Sequence, residues 1–368
     1  MSVPAQVANP AATPPTAVTP AVDAAAPRLT TFSHGGGCGC KISPGVLSQL
    51  LQGAARLPVP PQLLVGLDTA DDAAVYRIDD EHALVATTDF FMPIVDDPHD
   101  FGRIAATNAL SDVYAMGASP ILALAIVAMP VDRLPLDVIR RILQGGEAVC
   151  ASAGIPLAGG HTIDSVEPIY GLVAIGLAHP AHIRRNDEAR PGDRLVLGKA
   201  IGVGIASAAL RKERLSDEGY AAMIASTTQL NVSGPALARL PGVHALTDVT
   251  GFGLLGHVLE MCRGARVRVR LSSASVPRLP GTDQRVAEGF VTGASARNWA
   301  AYGHEVRLSP GNEALRALLT DPQTSGGLLV ACDPSAVDDV LATLHRDGFA
   351  SACEIGEVLA GEPGVDVV

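Results

Sequence analysis

The pattern of apolar residues along this chain predicts its strands and helices. Continuous apolar runs alternate irregularly with segments in which apolar residues recur at helical spacing. The run Ile121–Met129 is typical of a buried strand, and Ile169–Ala178 predicts another. Helical spacing predicts helices over Phe101–Met116 and Leu136–Ala153. Several predicted strands are neighbours in the chain, without strict βαβ alternation. This order favours an α+β fold of two domains, each a mixed sheet with packed helices, over one doubly wound sheet.

The same criteria predict smaller elements. They predict strands over Ala73–Ile78, Ala83–Thr88, Arg194–Leu197, Val267–Leu271, Leu328–Ala331 and Glu354–Leu359. They predict helices over Pro44–Leu51, Ile205–Arg211, Glu313–Leu319 and Ala336–Arg346, and one opening within Leu246–Gly253. Gly159–Asp164 is predicted to be a turn.

The length and composition indicate how the chain is divided. Its 368 residues are enough for two domains with cores of their own. Residues 1–28 are rich in alanine and proline, which predicts a disordered extension. We expect an N-terminal domain over residues 29–180 and a C-terminal domain over 181–368.

Charge and cysteine usage exclude several classes of partner. The formal net charge is −11 and no basic block occurs, so we expect no nucleic-acid partner. The six cysteines without a secretory signal indicate free thiols in a reducing compartment. The longest apolar run, Ile121–Met129, is too short to span a bilayer. We therefore expect a soluble, cytoplasmic protein with no membrane partner.

The stretch His34–Lys41 concentrates the unusual chemistry, with four glycines, two cysteines and a lysine. Glycine lets a backbone approach a ligand closely or move as a lid, and a neighbouring cation favours the reactive thiolate of cysteine. The stretch therefore predicts a mobile loop with a nucleophilic sulfur, Cys38, and a fixed positive charge, Lys41. His34 either helps to keep Cys38 ionised or is an ordinary loop histidine.

Other interpretations of this loop fit less well. A nucleotide P-loop has glycine before its lysine and serine or threonine after it, whereas Cys40 and Ile42 flank Lys41 here. Zinc is disfavoured because the other four cysteines stand singly. A flexible linker with small cysteines stays open on the loop alone.

Four aspartates at the ends of predicted elements form the second pattern: Asp72, Asp89, Asp112 and Asp248. Hard cations such as Mg²⁺ take oxygen ligands and share them with ATP phosphates. Two carboxylates about 4 Å apart repel each other by about 4 kcal/mol at an effective dielectric constant near 20, so a cluster requires cations. Each aspartate also has an ordinary interpretation: a turn residue for Asp72 and Asp89, an exposed helix charge for Asp112, or a helix cap for Asp248.

Three further features have both a functional and an ordinary interpretation. Asn108 and Asp112 share a helix face, as do Thr107 and Ser111, and such a face turns to solvent or to a polar site. His161 is either a ligand contact or a satisfied loop histidine. Lys199 lies among glycines but matches no phosphate-binding fingerprint.

Together these motifs identify a family. The chain resembles selenophosphate synthetases (selenide, water dikinases) from Leu29 onward, with the motifs in the same order. The resemblance lies in Gly37–Lys41, Asp71–Val75, Thr87–Phe91, Ala106–Asp112, Gly159–His161, Leu246–Gly253 and Gln323–Gly327. The aspartate motifs also resemble those of aminoimidazole ribonucleotide synthetase and thiamine-monophosphate kinase, whereas the Cys-Gly-Cys-Lys loop separates the family from these relatives.

The resemblance implies a reaction in which ATP, selenide and water give selenophosphate, AMP and phosphate. It implies that Cys38 is the essential thiol and that Lys41 contacts the phosphates. The implied Mg²⁺ ligands are Asp72, Asp89, Asp112 and Asp248, and Asp89 and Asp112 thereby also contact the nucleotide site. The implied nucleotide-lining residues are Thr69, Ala70, Asp71, Gly160, His161 and Thr162.

The resemblance also implies a homodimer formed through N-terminal domains of the aminoimidazole-synthetase type. Two other functions stay open on the sequence. One is a different ATP-dependent kinase or synthetase of the same superfamily, and the other is a thiol or metal module that stores selenium or zinc.

Overall fold

The computed structural model describes residues 27–42, 46, 49–50, 58–66, 71–308 and 312–368. Most of the extension 1–28 and of the predicted helix Pro44–Leu51 lies outside the described residues, as do Thr69 and Ala70. Within the described residues, the strands form two mixed sheets, one of six strands and one of seven.

The first sheet contains the strands that precede residue 179. Its strands are β1 (Leu63–Val65), β2 (Ala74–Arg77), β3 (Ala83–Phe91), β4 (Ser119–Met129), β5 (Leu157–Asp164) and β6 (Ile169–Ala178). They lie in the order β1-β2-β3-β6-β4-β5. All pairings are antiparallel except that of β4 with β5, which is parallel.

Two helices cover one face of this sheet, α1 (Pro98–Ala115) and α2 (Leu136–Ser152). Helix α1 begins three residues before the predicted start because Asp97 caps it, accepting a 2.9 Å hydrogen bond from the Asp100 N–H, and Pro98 occupies its first turn. Apolar side chains of α1 pack against alternate residues of β3, such as Val85, and of β6, such as Leu172. The other side chains of these strands point away from the helices.

The second sheet follows residue 193. Its strands are β7 (Arg194–Leu197), β8 (Val243–Asp248), β9 (Val267–Leu271), β10 (Val306–Arg307), β11 (Leu328–Cys332), β12 (Cys353–Ala360) and β13 (Gly364–Val367). They lie in the order β10-β13-β9-β12-β7-β11-β8, with β13 parallel to both β10 and β9 and the remaining pairs antiparallel.

Helices accompany both faces of the second sheet. They are α3 (Val203–Arg211), α4 (Asp217–Thr227), α5 (Gly234–Leu237), α6 (Gly253–Ala265), α7 (Thr282–Ala287), α8 (Gly293–Tyr302), α9 (Glu313–Leu319) and α10 (Val337–Arg346). Leu195 and Leu197 of β7 belong to the core that contains α6, whereas Val196 belongs to the core under α10. The strand is therefore apolar on both faces, which explains its continuous apolar sequence.

The predicted α+β class with mixed sheets is confirmed, and most of the large predicted elements are present. The prediction for Gly159–Asp164 was wrong, because these residues belong to the edge strand β5 and not to a turn. The strands β1, β8, β10 and β13 and the helices α4, α5, α7 and α8 were not predicted. The boundary near residue 180 stays a prediction. Of the described helices, none combines the length and the hydrophobicity that crossing a bilayer requires.

Candidate active site

The thiol loop lies in the interior between the two sheets. Gly37–Cys40 forms a turn of 3₁₀-helix, and Cys38 is 1% exposed. Its backbone N–H donates to Thr324 Oγ1 at 3.0 Å, and its thiol donates to Asn108 Oδ1 at 3.2 Å. Gly37 has φ of +54°, and a Cβ atom there would lie 2.3 Å from Thr324 Oγ1. Glycine is therefore required for the loop to dock in this way.

Cys38 is held as a neutral thiol in this conformation. Burial raises the pKa of Cys38 and outweighs the nearby Lys41 ammonium, which lowers it. The donation of the thiol to an amide oxygen agrees with a protonated sulfur. The expectation that the lysine favours an ionised sulfur therefore does not hold while the loop is docked.

Asn108 links the thiol to the charged part of the site. Its Oδ1 atom accepts from the Cys38 thiol and, at 2.7 Å, from the Ser325 N–H, while its Nδ2 atom donates to Asp89 Oδ2. The same Asp89 oxygen lies 3.2 Å from Lys41 Nζ. A continuous chain of polar contacts thus runs from the sulfur through Asn108 and Asp89 to Lys41.

The other three aspartates also accept hydroxyl hydrogen bonds. Asp112 Oδ2 accepts from Thr87 at 2.6 Å. Asp72 Oδ1 accepts from Thr247 at 2.9 Å, although Asp72 lies before β2 and Thr247 on β8. The side chain of Asp248, at the end of β8, accepts from Ser111 of α1. The cap interpretation of Asp248 was wrong, because α6 begins at Gly253 without a side-chain cap.

Electrostatic repulsion marks these aspartates as a cluster. Burial raises the pKa of Asp72 well above its usual value, and the charges of Asp248 and Asp112 raise it further. Burial and the charge of Asp248 likewise raise the pKa of Asp112, and burial raises that of Asp248. Asp72 Oδ2 is buried and has no hydrogen-bond partner among the described residues. The negative charge of these carboxylates is therefore not fully balanced by neighbouring positive groups, and a bound cation would balance it.

The protein groups alone do not form a complete metal site. Among the described residues, no group of three or more histidine, cysteine, aspartate or glutamate side chains is arranged to hold one metal ion. Lys41 is a cation that faces the cluster, and its pKa is raised well above the usual value despite desolvation of its ammonium group, first by Asp89 and then by further acidic groups.

The loop that contains Thr324 and Ser325 is fixed by buried polar groups. Asp321 Oδ2 accepts from the Gly204 and Ile205 N–H groups at 3.0 and 3.2 Å, at the start of α3. Lys199 Nζ donates to the carbonyl oxygens of Gln229 and Ser325 at 2.7 and 2.8 Å. Lys199 thus holds the backbone of this loop, and its contacts give no support to a phosphate-binding role.

Of the expected nucleotide-lining residues that the structure describes, Asp71 and the Gly160–Thr162 segment do not meet within one chain. Asp71 precedes β2 and accepts from the Asn186 N–H at 2.8 Å. Gly160, His161 and Thr162 lie exposed on β5. Three strands separate β2 from β5 in the sheet, so these two strands lie about 19 Å apart. At Gly160, φ is +152° and a Cβ atom would lie 2.0 Å from the Ala125 carbonyl oxygen, which explains the glycine.

His34 does not contact the sulfur. Its Nδ1 atom lies 2.9 Å from Glu167 Oε2, and its side chain is 77% exposed. The ordinary interpretation of His34 as a loop histidine is the one that fits these contacts.

Residues outside the expected catalytic and ligand set provide much of the geometry, among them Asn108 and Ser111, whose helix face was predicted to turn to solvent or to a polar site. Asn108, Ser111, Thr87, Thr247, Thr324 and Ser325 are the side chains and backbone groups that hold the thiol loop and the aspartates. The signal for two of them was present: Asn108, Ser111 and Asp112 have the spacing of one helix face in a helix that is otherwise buried and largely apolar. Thr107, by contrast, donates to the Arg103 carbonyl oxygen of its own helix.

Comparisons with known protein families agree with this architecture. The AIR synthase related protein family matches the chain with its N-terminal domain over residues 70–178 and with its C-terminal domain over residues 190–368. These two matches correspond to the two sheets.

Curated relatives match nearly the whole chain. The selenide, water dikinase of Burkholderia pseudomallei is 68% identical over 346 residues, which are 94% of this chain and 98% of the relative. Those of Pseudomonas straminea and Rhizobium meliloti are 63% and 56% identical, over 93% of this chain and 97% and 99% of the relatives.

Solved structures show the same fold at low identity. Thiamine-monophosphate kinase from Stenotrophomonas maltophilia is 20% identical with a TM-score of 0.59, over 88% of this chain and 94% of that chain. A hydrogenase maturation protein HypE in complex with ATP is 19% identical with a TM-score of 0.57, over 87% of this chain and 85% of that chain.

The role of Asn108 predicts a large loss of stability for Asn108→Ala. The substitution leaves the buried Ser325 N–H and the Asp89 carboxylate each with one partner fewer, so the free energy of unfolding should fall by about 2 kcal/mol or more. Urea denaturation checks this. The matched control is Thr107→Ala on the same helix, which removes only a hydrogen bond to the helix backbone. Equal losses in the two variants would contradict the linking role of Asn108.

Asp321 predicts a specific pH dependence of stability. Burial raises its pKa from 3.8 to about 7, so the folded state binds a proton more tightly than the unfolded state does. The stability that this group contributes is therefore greatest below about pH 4 and is lost as the pH rises to about 7. The free energy of unfolding of Asp321→Asn, relative to that of wild type, should consequently be higher at pH 8 than at pH 5.

Urea denaturation of both proteins at the two pH values tests this expectation. Asp137→Asn is the control, because Asp137 is exposed on α2 and its side chain is 88% accessible. The prediction would be contradicted if the free energies of unfolding of wild type and Asp321→Asn differed by the same amount at both pH values.

Proposed function

Because this chain belongs to the selenide, water dikinase family, we propose that it converts ATP, selenide and water to selenophosphate, AMP and phosphate. The observation that carries the proposal is the chain of contacts from the Cys38 thiol through Asn108 and Asp89 to Lys41, beside a cluster of three further aspartates. A soft nucleophile and groups suited to a polyphosphate thus occupy one site.

Lys41 and cations held by the aspartates would reduce the electrostatic repulsion between the two anionic reactants. Hydroselenide is an anion, and the phosphoryl group that it attacks is also negative. Each close pair of like charges costs about 4 kcal/mol at an effective dielectric constant near 20. Lys41 lies 3.2 Å from Asp89 and keeps its charge, so it can move to the phosphate oxygens when nucleotide and cations compete for Asp89.

Asp72, Asp89, Asp112 and Asp248 are the residues that would hold Mg²⁺. Their fit is supported by the raised pKa values of Asp72, Asp112 and Asp248 and by the unpaired, buried oxygen of Asp72. Mg²⁺ in nucleotide sites takes one or two carboxylates together with phosphate oxygens, so a complete protein cage is not required. Bound Mg²⁺ supplies positive charge to the phosphate oxygens.

Cys38 is the proposed catalytic thiol. It either carries selenium to the phosphoryl group or positions the loop. Because the docked thiol is 1% exposed and its pKa is raised by burial, the carrier role requires that the loop leaves this position to meet selenium. Redocking of the loop would then exclude water, which competes for the phosphoryl group.

We also propose that the protein acts as a homodimer in which the nucleotide lies between subunits. Asp71 and the Gly160–Thr162 segment are too far apart in one chain to contact one nucleotide, whereas β5 is an exposed sheet edge. The sheet face opposite α1 and α2 is apolar and only partly covered: Leu84, Ala86, Leu122, Leu124, Ile126, Val173, Ile175 and Leu177. A second N-terminal domain on this face would bury it and bring its own β5 towards Asp71.

The compartment is part of the same proposal. All six cysteines lie within the described residues and none forms a disulfide. This agrees with a reducing compartment, and we place the protein in the cytoplasm.

Product analysis tests the reaction. Incubation with ATP and Mg²⁺, with and without selenide, should give AMP that depends on selenide. ADP as the end product would instead support another kinase of the superfamily. Cys38→Ser should lose selenide-dependent turnover and keep nucleotide binding, measured by calorimetry. Cys353→Ser, far from the site in sequence and bonded to the Ser275 carbonyl oxygen, is the control and should keep turnover. Full turnover in Cys38→Ser would withdraw the catalytic thiol.

Subunit mixing tests the shared site. Cys38→Ser and His161→Ala should each be inactive as homodimers. After mixing and reassociation at equal concentrations, half of the dimers should be heterodimers with one intact site, which restores about a quarter of wild-type activity. Co-purification of two different affinity tags measures heterodimer formation. Heterodimers without restored activity would show that each nucleotide site lies within one chain.

A further inference from the structure

A cavity of about 340 Å³ lies directly against the thiol loop but outside the site described above. Its walls are formed by Gly35, Gly36 and Gly39 of the loop, by the C-terminal half of α3 and by the start of α8. Cys38, Lys41 and the four aspartates do not line it. The backbone of the loop therefore separates this cavity from the aspartate cluster.

Three cationic side chains line this cavity, Arg211, Lys212 and Arg297, and none of its described lining residues is acidic. Within the described parts of the chain, none of the three forms an ion pair with a carboxylate. Arg211 instead donates to the Thr30 and Ser33 carbonyl oxygens, and Lys212 lies over the Phe290 ring at 5.5 Å. All three are exposed at the cavity. The hydrogen bond from His34 and then the charge of Arg211 lower the pKa of the nearby Glu167 carboxyl, so Lys212 and Arg297 supply the excess of positive charge at the cavity. Such an excess attracts and concentrates anions at a concave site.

Two contacts connect the cavity to the catalytic loop. Arg297 Nη2 donates to the Gly39 carbonyl oxygen at 2.9 Å, one residue from Cys38. Thr324, which also lines the cavity, accepts from the Cys38 N–H at 3.0 Å. An anion in this cavity therefore lies close to two residues that hold the loop backbone on either side of Cys38, and it competes with the Gly39 carbonyl oxygen for Arg297.

We propose that this cavity captures the anionic selenium substrate, hydroselenide, before it reaches Cys38. The inference rests on the proposed function, which makes selenide a substrate. The nucleotide is a poor occupant, because no phenylalanine, tyrosine or tryptophan is among the described lining residues to stack on a base and the aspartates lie beyond the loop. A small anion needs only positive charge and a position next to the loop that carries the thiol, and the cavity provides both.

Steady-state kinetics test the capture site. Lys212→Gln and Arg297→Gln should each raise the KM for selenide about three- to tenfold, with kcat and the KM for ATP changed less than twofold. Arg297→Lys keeps the charge and should restore most of the affinity. Arg214→Gln is the matched control, because Arg214 is exposed two residues beyond Lys212 and does not line the cavity. Raised salt should increase the wild-type KM for selenide more than that of the two glutamine variants.

A measurement without turnover separates this inference from the proposed function. Iodoacetate is an anion and iodoacetamide is neutral, so the ratio of their alkylation rates at Cys38 and Cys40 reports the local potential. Mass spectrometry of the loop peptide should show that Lys212→Gln and Arg297→Gln lower this ratio at least twofold, unlike Arg214→Gln. An unchanged ratio together with an unchanged KM for selenide overturns the capture site.

The remaining outcomes are also distinct. A lowered alkylation ratio without selenide-dependent AMP in wild type overturns the proposed function and the identity of the anion, although not the attraction of anions. Phosphate, a product, is another small anion of the reaction. If the glutamine variants weaken product inhibition by phosphate and leave the KM for selenide unchanged, the cavity is an exit for phosphate and our assignment is wrong.

Discussion

The concentration of carboxylates between two sheets is the constraint on which the rest of this structure depends. Asp72, Asp112 and Asp248 raise the energy of the folded protein while they are charged, as their raised pKa values indicate. The protein offsets the repulsion in part, with Lys41 beside Asp89 and with hydroxyl groups that donate to the other acids. Part of the repulsion between the carboxylates remains. Because bound cations would relieve it, this remaining repulsion favours binding of cations and of the polyphosphate that accompanies them.

The compensation requires both domains. Ser111 of the first domain donates to Asp248 of the second, and Thr247 of the second donates to Asp72 of the first. The Gln323–Gly327 loop reaches Cys38 through Thr324 and Asn108 through Ser325. The site is therefore formed by several elements of both domains. The distances between its residues depend on how one sheet packs against the other. The buried Lys199 and Asp321 hold the backbone of the second domain around this loop, so that Thr324 and Ser325 are in position to contact the first domain.

Local chemistry allowed much of this to be predicted from the sequence. Apolar periodicity gave Val267–Leu271 and Ile169–Ala178 with the bounds that the structure has, because burial and pairing agree with local preference there. Gly159–Gly160 indicated a turn, yet the glycine serves the close approach of β5 to the Ala125 backbone, which sequence spacing does not encode. Asp248 resembled a helix cap because the contact with Ser111 joins residues 137 positions apart.

The thiol of Cys38 is a second property that could not be predicted from the sequence alone, because it depends on tertiary structure. A cysteine near a lysine predicts a thiolate, but the sign of the pKa shift is decided by burial, which only the folded chain reveals. Docked, Cys38 is a neutral hydrogen-bond donor that helps to hold Asn108 and, through it, Asp89. The release proposed for this loop would remove that donor, expose the sulfur to solvent and so lower the cost of its ionisation. In the docked loop the burial of Cys38 outweighs the neighbouring lysine and keeps the sulfur protonated.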